Sequence, residues 1–463
     1  MIPIGISEIL KAVDGTLLWG DENGVVTNVV TDSRKAGKGS LFVPIVGERV
    51  DAHQFIPQVM QAGAGVTFSS RKDVAPAASG CCIYVEDTLA ALQKAAAYYR
   101  SRFDIPVIGV TGSVGKTTTK EMISAVLEKK YRVVKTQGNW NSQIGVALMM
   151  FELEPETELA IFEMGMSLPG EMARLVEIAK PQTAVMTNIG NLGSRENIAK
   201  EKGHIVKYVG TSHDGKLYIC GNGDMKQITR ENVPYSLCEA KCPICYYGTE
   251  ADCEVRATDL TVTETGQKFV YHGRQTGEVE LSVMGGHNVN NALVAMALGE
   301  QFGVAFDDAV QALKEYRPFS MRGERKDAHG YHVIDDTYNA SPDSINSNID
   351  ALFDYAKTGQ KIVVLGDVLE LGEQSEKLHR GIGEFIVKEA QKGKTLDLVV
   401  TVGEGASFIA KQVEETSNIA VKICKDNEEA AAFVKKCAKE GDWILVKGSR
   451  GMHMDEVVQK VVM

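Results

Sequence analysis

The chain has no apolar run approaching the roughly 18 residues that a membrane-crossing helix needs, so no membrane span is expected. It also lacks a basic opening followed by an apolar stretch. MIPIGISEILKAVDG reads as no signal peptide. Basic side chains are in the minority: 50 Lys and Arg stand against 61 Asp and Glu, a net charge of −11. That balance argues against nucleic acid as the main partner, although it leaves room for local basic sites that bind small anions. There is no internal repeat and no low-complexity segment. The nine cysteines are an odd number in a long chain, which suits free thiols in a reducing cytoplasm better than a disulfide framework. Cys238, Cys242, Cys245 and Cys253 are clustered, with a CxxC at 242–245. The second pair is not another CxxC, and Cys245 falls in a strand-like run, so free thiols are expected there rather than zinc.

What the chain does have is an ordinary globular balance, 44% hydrophobic and 24% charged, over 463 residues. Such a length suggests about three domains. Residues 1–103 mix short β-like runs (VVTNVVTDS, GSLFVPIVG, GVTFSS, CCIYVED) with a helix-like segment, and read as a small α/β domain. Residues 104–318 alternate strand and helix, which implies βαβ units and a parallel sheet covered on both faces. A β-rich stretch at 216–283 and a strongly helical one, NVNNALVAMALGEQFG, complete that block. Residues 319–463 alternate again through YHVIDD, KIVVLGD, DLVVTVG and WILVKGS, a second doubly wound sheet.

The most telling segment is GVTGSVGKTTTK at 109–120, between a strand-like run and a helix-like one. Glycines let such a loop wrap closely around phosphates. Backbone N–H groups and the helix N-terminus supply the positive field. The nucleotide contacts expected from it are Gly112, Ser113, Val114, Gly115, Lys116, Thr117 and Thr118. Lys116 reaches the terminal phosphates, and the hydroxyl of Thr117 ligates Mg²⁺. The loop is a variant: Val110 stands where the general pattern wants glycine, and Gly112 takes over. Glu163 closes an apolar strand and is a second candidate magnesium ligand.

Three further places carry candidates. His287-Asn288 opens a helix, where Asn288 either contacts a base or ribose or merely caps. Arg322 follows the pattern break near Tyr316 and either reaches a γ-phosphate across the domain gap or has no role. IDDTYNASPDS at 334–344 gathers Asp336, Tyr338 and Asn339 at a strand's carboxyl end, the edge where ligands bind in such sheets.

Together, TDSRKAGKGSLFVPIVGERVDAHQF, TGSVGKTTTKEMI, GNWNSQIGVAL, FEMGMSLPGEM and GGHNVNNALVAMALG resemble the Mur ligase family. The resemblance runs over nearly the whole chain. IDDTYNASPDS, VLGDVLELGEQSEKLH and LVKGSRGMHMDEVV, taken with FEMGM, resemble the members that add a dipeptide rather than a single amino acid.

The resemblance implies a three-domain α/β architecture: a UDP-sugar-binding domain (1–103), a central P-loop ATPase domain (104–318) and a Rossmann-like ligase domain (319–463). It implies an ATP- and Mg²⁺-dependent amide ligase of peptidoglycan synthesis, a cytoplasmic monomer. Its substrates would be UDP-N-acetylmuramoyl-tripeptide and D-alanyl-D-alanine, joined through an acyl phosphate. The alternatives are another amino-acid ligase, such as a folylpolyglutamate synthase, and a nucleotide-binding relative with weak or no turnover. By the same likeness, Asn288 touches adenine, Asp336 the ribose, and Arg322 the γ-phosphate. Thr31, Asp32, Ser33 and Arg34 lie near the uridine diphosphate. Lys202 falls where the family carries a carbamylated lysine. One departure stands out: Asn188-Ile-Gly190 runs straight into Asn191-Leu-Gly193-Ser194, about five residues short. The histidine that usually joins Glu163 at a second magnesium is lost with them, and His204 and His213 are the nearest replacements in sequence.

Overall fold

The structure, a computed structural model, describes residues 1–47, 49–190, 194–263 and 266–463. Three larger sheets succeed one another along the chain. The first runs in the order Thr16–Trp19, Cys81–Tyr84, Val66–Ser69, Ser40–Phe42, Asn28–Val30. All its pairs are parallel except the first. The helix Thr88–Arg100 follows it, started by Asp87, whose carboxylate accepts from the N–H groups of Leu89 and Ala90.

The central sheet has nine strands, ordered Thr276–Leu281, Gln267–His272, Val255–Val262, Ile244–Gly248, Leu217–Cys220, Thr183–Met186, Val107–Thr111, Leu159–Glu163, Val133–Lys135. The last seven of these pair in parallel, and the first two add as antiparallel hairpins. Side chains alternate across a strand. Val107, Ala160, Phe162, Ala184 and Met186 therefore join one core, and Ile108, Val110, Ile161 and Val185 the other. The first core is covered by the helices Gln143–Met150, Glu171–Ala179 and Thr88–Arg100, which ties the first unit to the central one. The second is covered by Lys116–Leu127 and Gly286–Gln301. Burial on both faces explains why the strands read as continuous apolar runs.

The last sheet is ordered Glu324–Ala328, Tyr331–Asp336, Trp443–Lys447, Lys361–Gly366, Leu398–Val402, Ala420–Cys424. It is parallel except for its first pair. Two features escape the sequence pattern. The stretch 216–283 opens with two more parallel strands separated by the helix Met225–Asn232 before its hairpins begin. Glu324–Ala328, a charged segment (ERKDA), forms an edge strand because Tyr331–Asp336 offers it a complete ladder. All nine cysteines are free thiols. Among the described residues no group of three or more His, Cys, Asp or Glu side chains is placed to hold a metal on its own.

Candidate active site

The strand Val107–Thr111 ends at Gly112, whose φ of +148° only glycine adopts easily. A Cβ there would fall 1.9 Å from Thr187 Oγ1. Gly115 is left-handed (φ +84°) and turns the chain into the helix Lys116–Leu127. The first N–H groups of that helix have no acceptor within it and face out of its N-terminus. Lys116 curls back over the loop: its Nζ donates to the carbonyls of Gly112 (2.9 Å) and Ser113 (3.4 Å). The N–H groups of Ser113 and Val114 both donate to Asn188 Oδ1, at 2.8 Å each. Asn188 thus shapes the loop from the end of the neighbouring strand. In the sequence it stands out only as a neighbour of the shortened segment.

Glu163 stands at the carboxyl end of the adjacent strand and is 2% exposed. Its Oε2 accepts from the Thr117 hydroxyl at 2.8 Å, and its Oε1 from Asn141 Nδ2 at 2.7 Å. Its own N–H donates to Thr136 Oγ1 at 2.8 Å. The carbonyl of Thr136 is gripped in turn by the buried ammonium of Lys120, at 2.6 Å. A hydroxyl and a carboxylate fixed side by side at a phosphate loop are hard oxygen donors, which fit Mg²⁺.

Lys202 comes from the helix Arg195–Gly203, capped by Ser194. It is 4% exposed, and its Nζ donates to Gly112 O at 3.1 Å. Two ammonium groups therefore share one carbonyl. Burial, and then the charge of Lys116, push Lys202 down to about 7. Burial and the nearby Arg322 also lower Lys116, partly opposed by Glu163. The shortened segment itself, 191–193, lies outside the described residues. The lysine helix nonetheless carries Lys202 to the loop. His204 follows directly at that helix's C-terminus. His213 pairs with Asp104 (3.4 Å) at the amino-terminal edge of the central sheet, the end away from the loop, so it does not stand in for the missing histidine.

The last sheet closes the site from the other side. The guanidinium of Arg322 lies 3.9 Å from the centroid of the Tyr338 ring. Its Nε is buried without a hydrogen-bond partner. Thr117, Glu121, Gly138, Phe319, Arg322 and Tyr338 line one narrow space between the loop helix and the last unit. Asp336 Oδ2 accepts from Asn348 and from the buried Lys447. Asn288 Nδ2 donates to Met284 O (2.6 Å), and its Oδ1 accepts from Asn291 (3.0 Å). Asn291 also accepts from Thr119 of the loop helix (2.8 Å), a link with no sequence signal. His287 is lowered by burial and feels both Asp336 and Lys447, so the two units meet here. Asn339 is exposed, and its carbonyl accepts from Lys447 at 2.9 Å.

Thr31, Asp32, Ser33 and Arg34 sit apart from these groups, at the carboxyl end of Asn28–Val30 in the first sheet. Asp32 caps the turn Ser33–Lys35 and is held at about 2, chiefly by hydrogen bonds from the Arg34 side chain and N–H. The same edge carries a network that the sequence reading missed. His53 Nδ1 is 2.6 Å from Asp51 Oδ1, and Asp51 also pairs with Arg71. His53 Nε2 accepts from the Ser70 N–H at 3.0 Å, with the Ser70 hydroxyl at 3.1 Å. The backbone donor occupies the lone pair a general base would use, so this Ser–His–Asp cluster is a loop clamp and not a nucleophile.

A phosphate loop, a buried acid beside it and an arginine brought from a second α/β sheet define the class. The chain belongs to the Mur ligase family. Three family models match it: the Mur ligase family catalytic domain at residues 25–100, the Mur ligase middle domain at 110–299, and the Mur ligase glutamate ligase domain at 321–450. The chain is 38% identical to the UDP-N-acetylmuramoyl-tripeptide–D-alanyl-D-alanine ligase of Bacillus subtilis, covering 100% of this chain and 99% of that one. It is similar to the crystal structure of MurF from Acinetobacter baumannii, with a TM-score of 0.87, 29% identity and 99% of each chain covered. It is also similar to the MurF ligase of Thermotoga maritima in complex with ADP, with a TM-score of 0.81, 27% identity, and coverage of 94% and 96%.

Proposed function

We propose that this chain joins D-alanyl-D-alanine to UDP-N-acetylmuramoyl-tripeptide, converting ATP to ADP and phosphate, in the synthesis of peptidoglycan precursors. The observation that carries the reading is the convergence of Lys116, Lys202 and Arg322 around the loop, beside the Thr117–Glu163 oxygen pair. That charge pattern suits a reaction that develops negative charge at a phosphoryl group and again at a tetrahedral carbon.

The N–H groups at the start of the loop helix and Lys116 hold the β- and γ-phosphates; Gly112, Ser113, Val114 and Gly115 shape the cradle, and Thr118 lies in the first turn. Thr117 would hold a first Mg²⁺ and Glu163 a second. When bound, the metal offsets phosphate charge and orients the γ-phosphoryl group. The tripeptide's terminal carboxylate attacks the γ-phosphorus, the bond to the ADP oxygen breaks, and an acyl phosphate forms. Arg322 and Lys116 stabilise the charge that this step spreads over the phosphoryl oxygens. The amine of D-alanyl-D-alanine then attacks the acyl carbon. Phosphate leaves, the amine loses a proton, and the amide remains.

Asn288 contacts adenine and Asp336 the ribose. Thr31, Asp32, Ser33 and Arg34 take the uridine-diphosphate end, and Tyr338 and Asn339 face the substrate side. Lys202 serves as the carbamylated lysine, because its depressed basicity leaves a neutral amine available to carbon dioxide. The working units are residues 1–103, 104–318 and 319–463, in a cytoplasmic monomer without a nucleic-acid partner. ADP formation measured with each substrate omitted in turn tests the reading. Turnover that needs both supports it, and turnover with a different amine redirects it.

A further inference from the structure

Arg322 brings a full charge to the site with no acid to hold it. Among the described residues no carboxylate pairs with its guanidinium, and its Nε is buried without a partner. What lies against it is the face of Tyr338, 3.9 Å from guanidinium carbon to ring centroid. An aromatic face attracts such a cation without neutralising it. An acid in the same place would spend the charge that a phosphoryl group needs.

The stack is built within one unit. Glu324 pairs with Asp335 in the antiparallel hairpin, so residues just before the first strand come opposite residues just after the second. The turn ahead of the hairpin is clamped to it. Gly323 N–H donates to Asp335 O at 2.9 Å, and Tyr338 N–H donates to Met321 O at 3.1 Å. Met321 is held left-handed (φ +67°), a conformation that a non-glycine residue keeps only when its surroundings enforce it. Arg322 and Tyr338 therefore travel together with the last sheet, whereas Lys116 and Lys202 belong to the central one.

We propose that Tyr338 is a positioning residue for Arg322. Its ring holds the guanidinium aimed and unneutralised on the last unit, so that the charge reaches the triphosphate already oriented when that unit closes on the loop. The role rests on the reading of the loop as an ATP site. It differs from direct contact of Tyr338 with substrate. The ring face carries it and the hydroxyl does not.

The test compares Tyr338→Leu, Tyr338→Phe, Arg322→Ala and the double variant. It measures kcat, affinity for ADP and affinity for a non-hydrolysable ATP analogue. Tyr338→Leu should lower both kcat and the ratio of analogue to ADP affinity by about tenfold, with ADP affinity itself changed by less than about twofold. Tyr338→Phe should restore most of the activity. In the Arg322→Ala background, Tyr338→Leu should add no further loss, since its effect passes through the arginine. Thermal unfolding is recorded for each variant, and Tyr338→Gln replaces Tyr338→Leu if the latter does not fold. Losses that add in the double variant overturn the proposal, as do a Phe variant as impaired as Leu or a Leu variant equal to the unaltered chain. Absence of analogue binding in the unaltered chain overturns the nucleotide reading itself; normal binding with an unshifted Leu variant overturns only the role of Tyr338.

Discussion

Two ammonium groups, those of Lys116 and Lys202, donate to the single carbonyl of Gly112. Burial lowers the basicity of both, and the charge of Lys116 lowers Lys202 further, whereas Lys116 is lowered further by Arg322 and partly restored by Glu163. Lys116→Ala is expected to reduce turnover by at least about a thousandfold, because in the proposed reaction it removes the charge that faces the transferring phosphoryl group. Lys202 has a pH consequence. Carbon dioxide reacts with the neutral amine, and with a folded value of about 7 the neutral fraction grows as pH rises through that value. Activity should therefore fall between pH 8 and pH 6 and recover partly when bicarbonate is added. A profile indifferent to bicarbonate would contradict the carbamylated role. Asn188 offers a different test. Its Oδ1 accepts from two loop N–H groups, so Asn188→Asp keeps the shape but sets a carboxylate beside the phosphates. The KM for ATP should rise about tenfold or more by like-charge repulsion, with stability little changed in a thermal melt.

The loop, its strand and its helix form the element on which the rest depends. A Cβ at Gly112 would meet Thr187 Oγ1 at 1.9 Å while φ is +148°. Gly112→Ala should therefore strain the loop by about 1–3 kcal/mol, lowering nucleotide affinity measured by calorimetry more than it lowers the melting temperature. This element was legible in the sequence because glycine and lysine spacing between an apolar strand and a helix has a direct phosphate-binding geometry behind it. The parallel strands were legible for a related reason: burial on both faces leaves uninterrupted apolar runs such as LAIFE and WILVK. The edge strand Glu324–Ala328 was not, because its partner's ladder outweighs the weak propensity of ERKDA. Nor were the clamps Asn188–Ser113, Asn291–Thr119 and His53–Ser70. Each joins residues far apart in the chain, and single polar side chains carry no periodicity.

At the scale of the molecule, three cations from two sheets converge on one place. Lys116 and Lys202 come from the central sheet's unit and Arg322 from the last. Like charges at such range repel unless an anion sits between them. Closure of the last unit should accordingly be favoured by the triphosphate and weakened by its removal. Small-angle X-ray scattering should show the radius of gyration falling when a non-hydrolysable ATP analogue and UDP-N-acetylmuramoyl-tripeptide are both present. Curves that superimpose with and without them would count against nucleotide-driven closure. The most direct measurement is ADP release by the purified chain in the presence of Mg²⁺, with UDP-N-acetylmuramoyl-tripeptide and D-alanyl-D-alanine supplied singly and together. The expected result is sustained release only with both, matched one for one by the new amide. Release that ignores the dipeptide, or none under any combination while ATP still binds, would contradict the account.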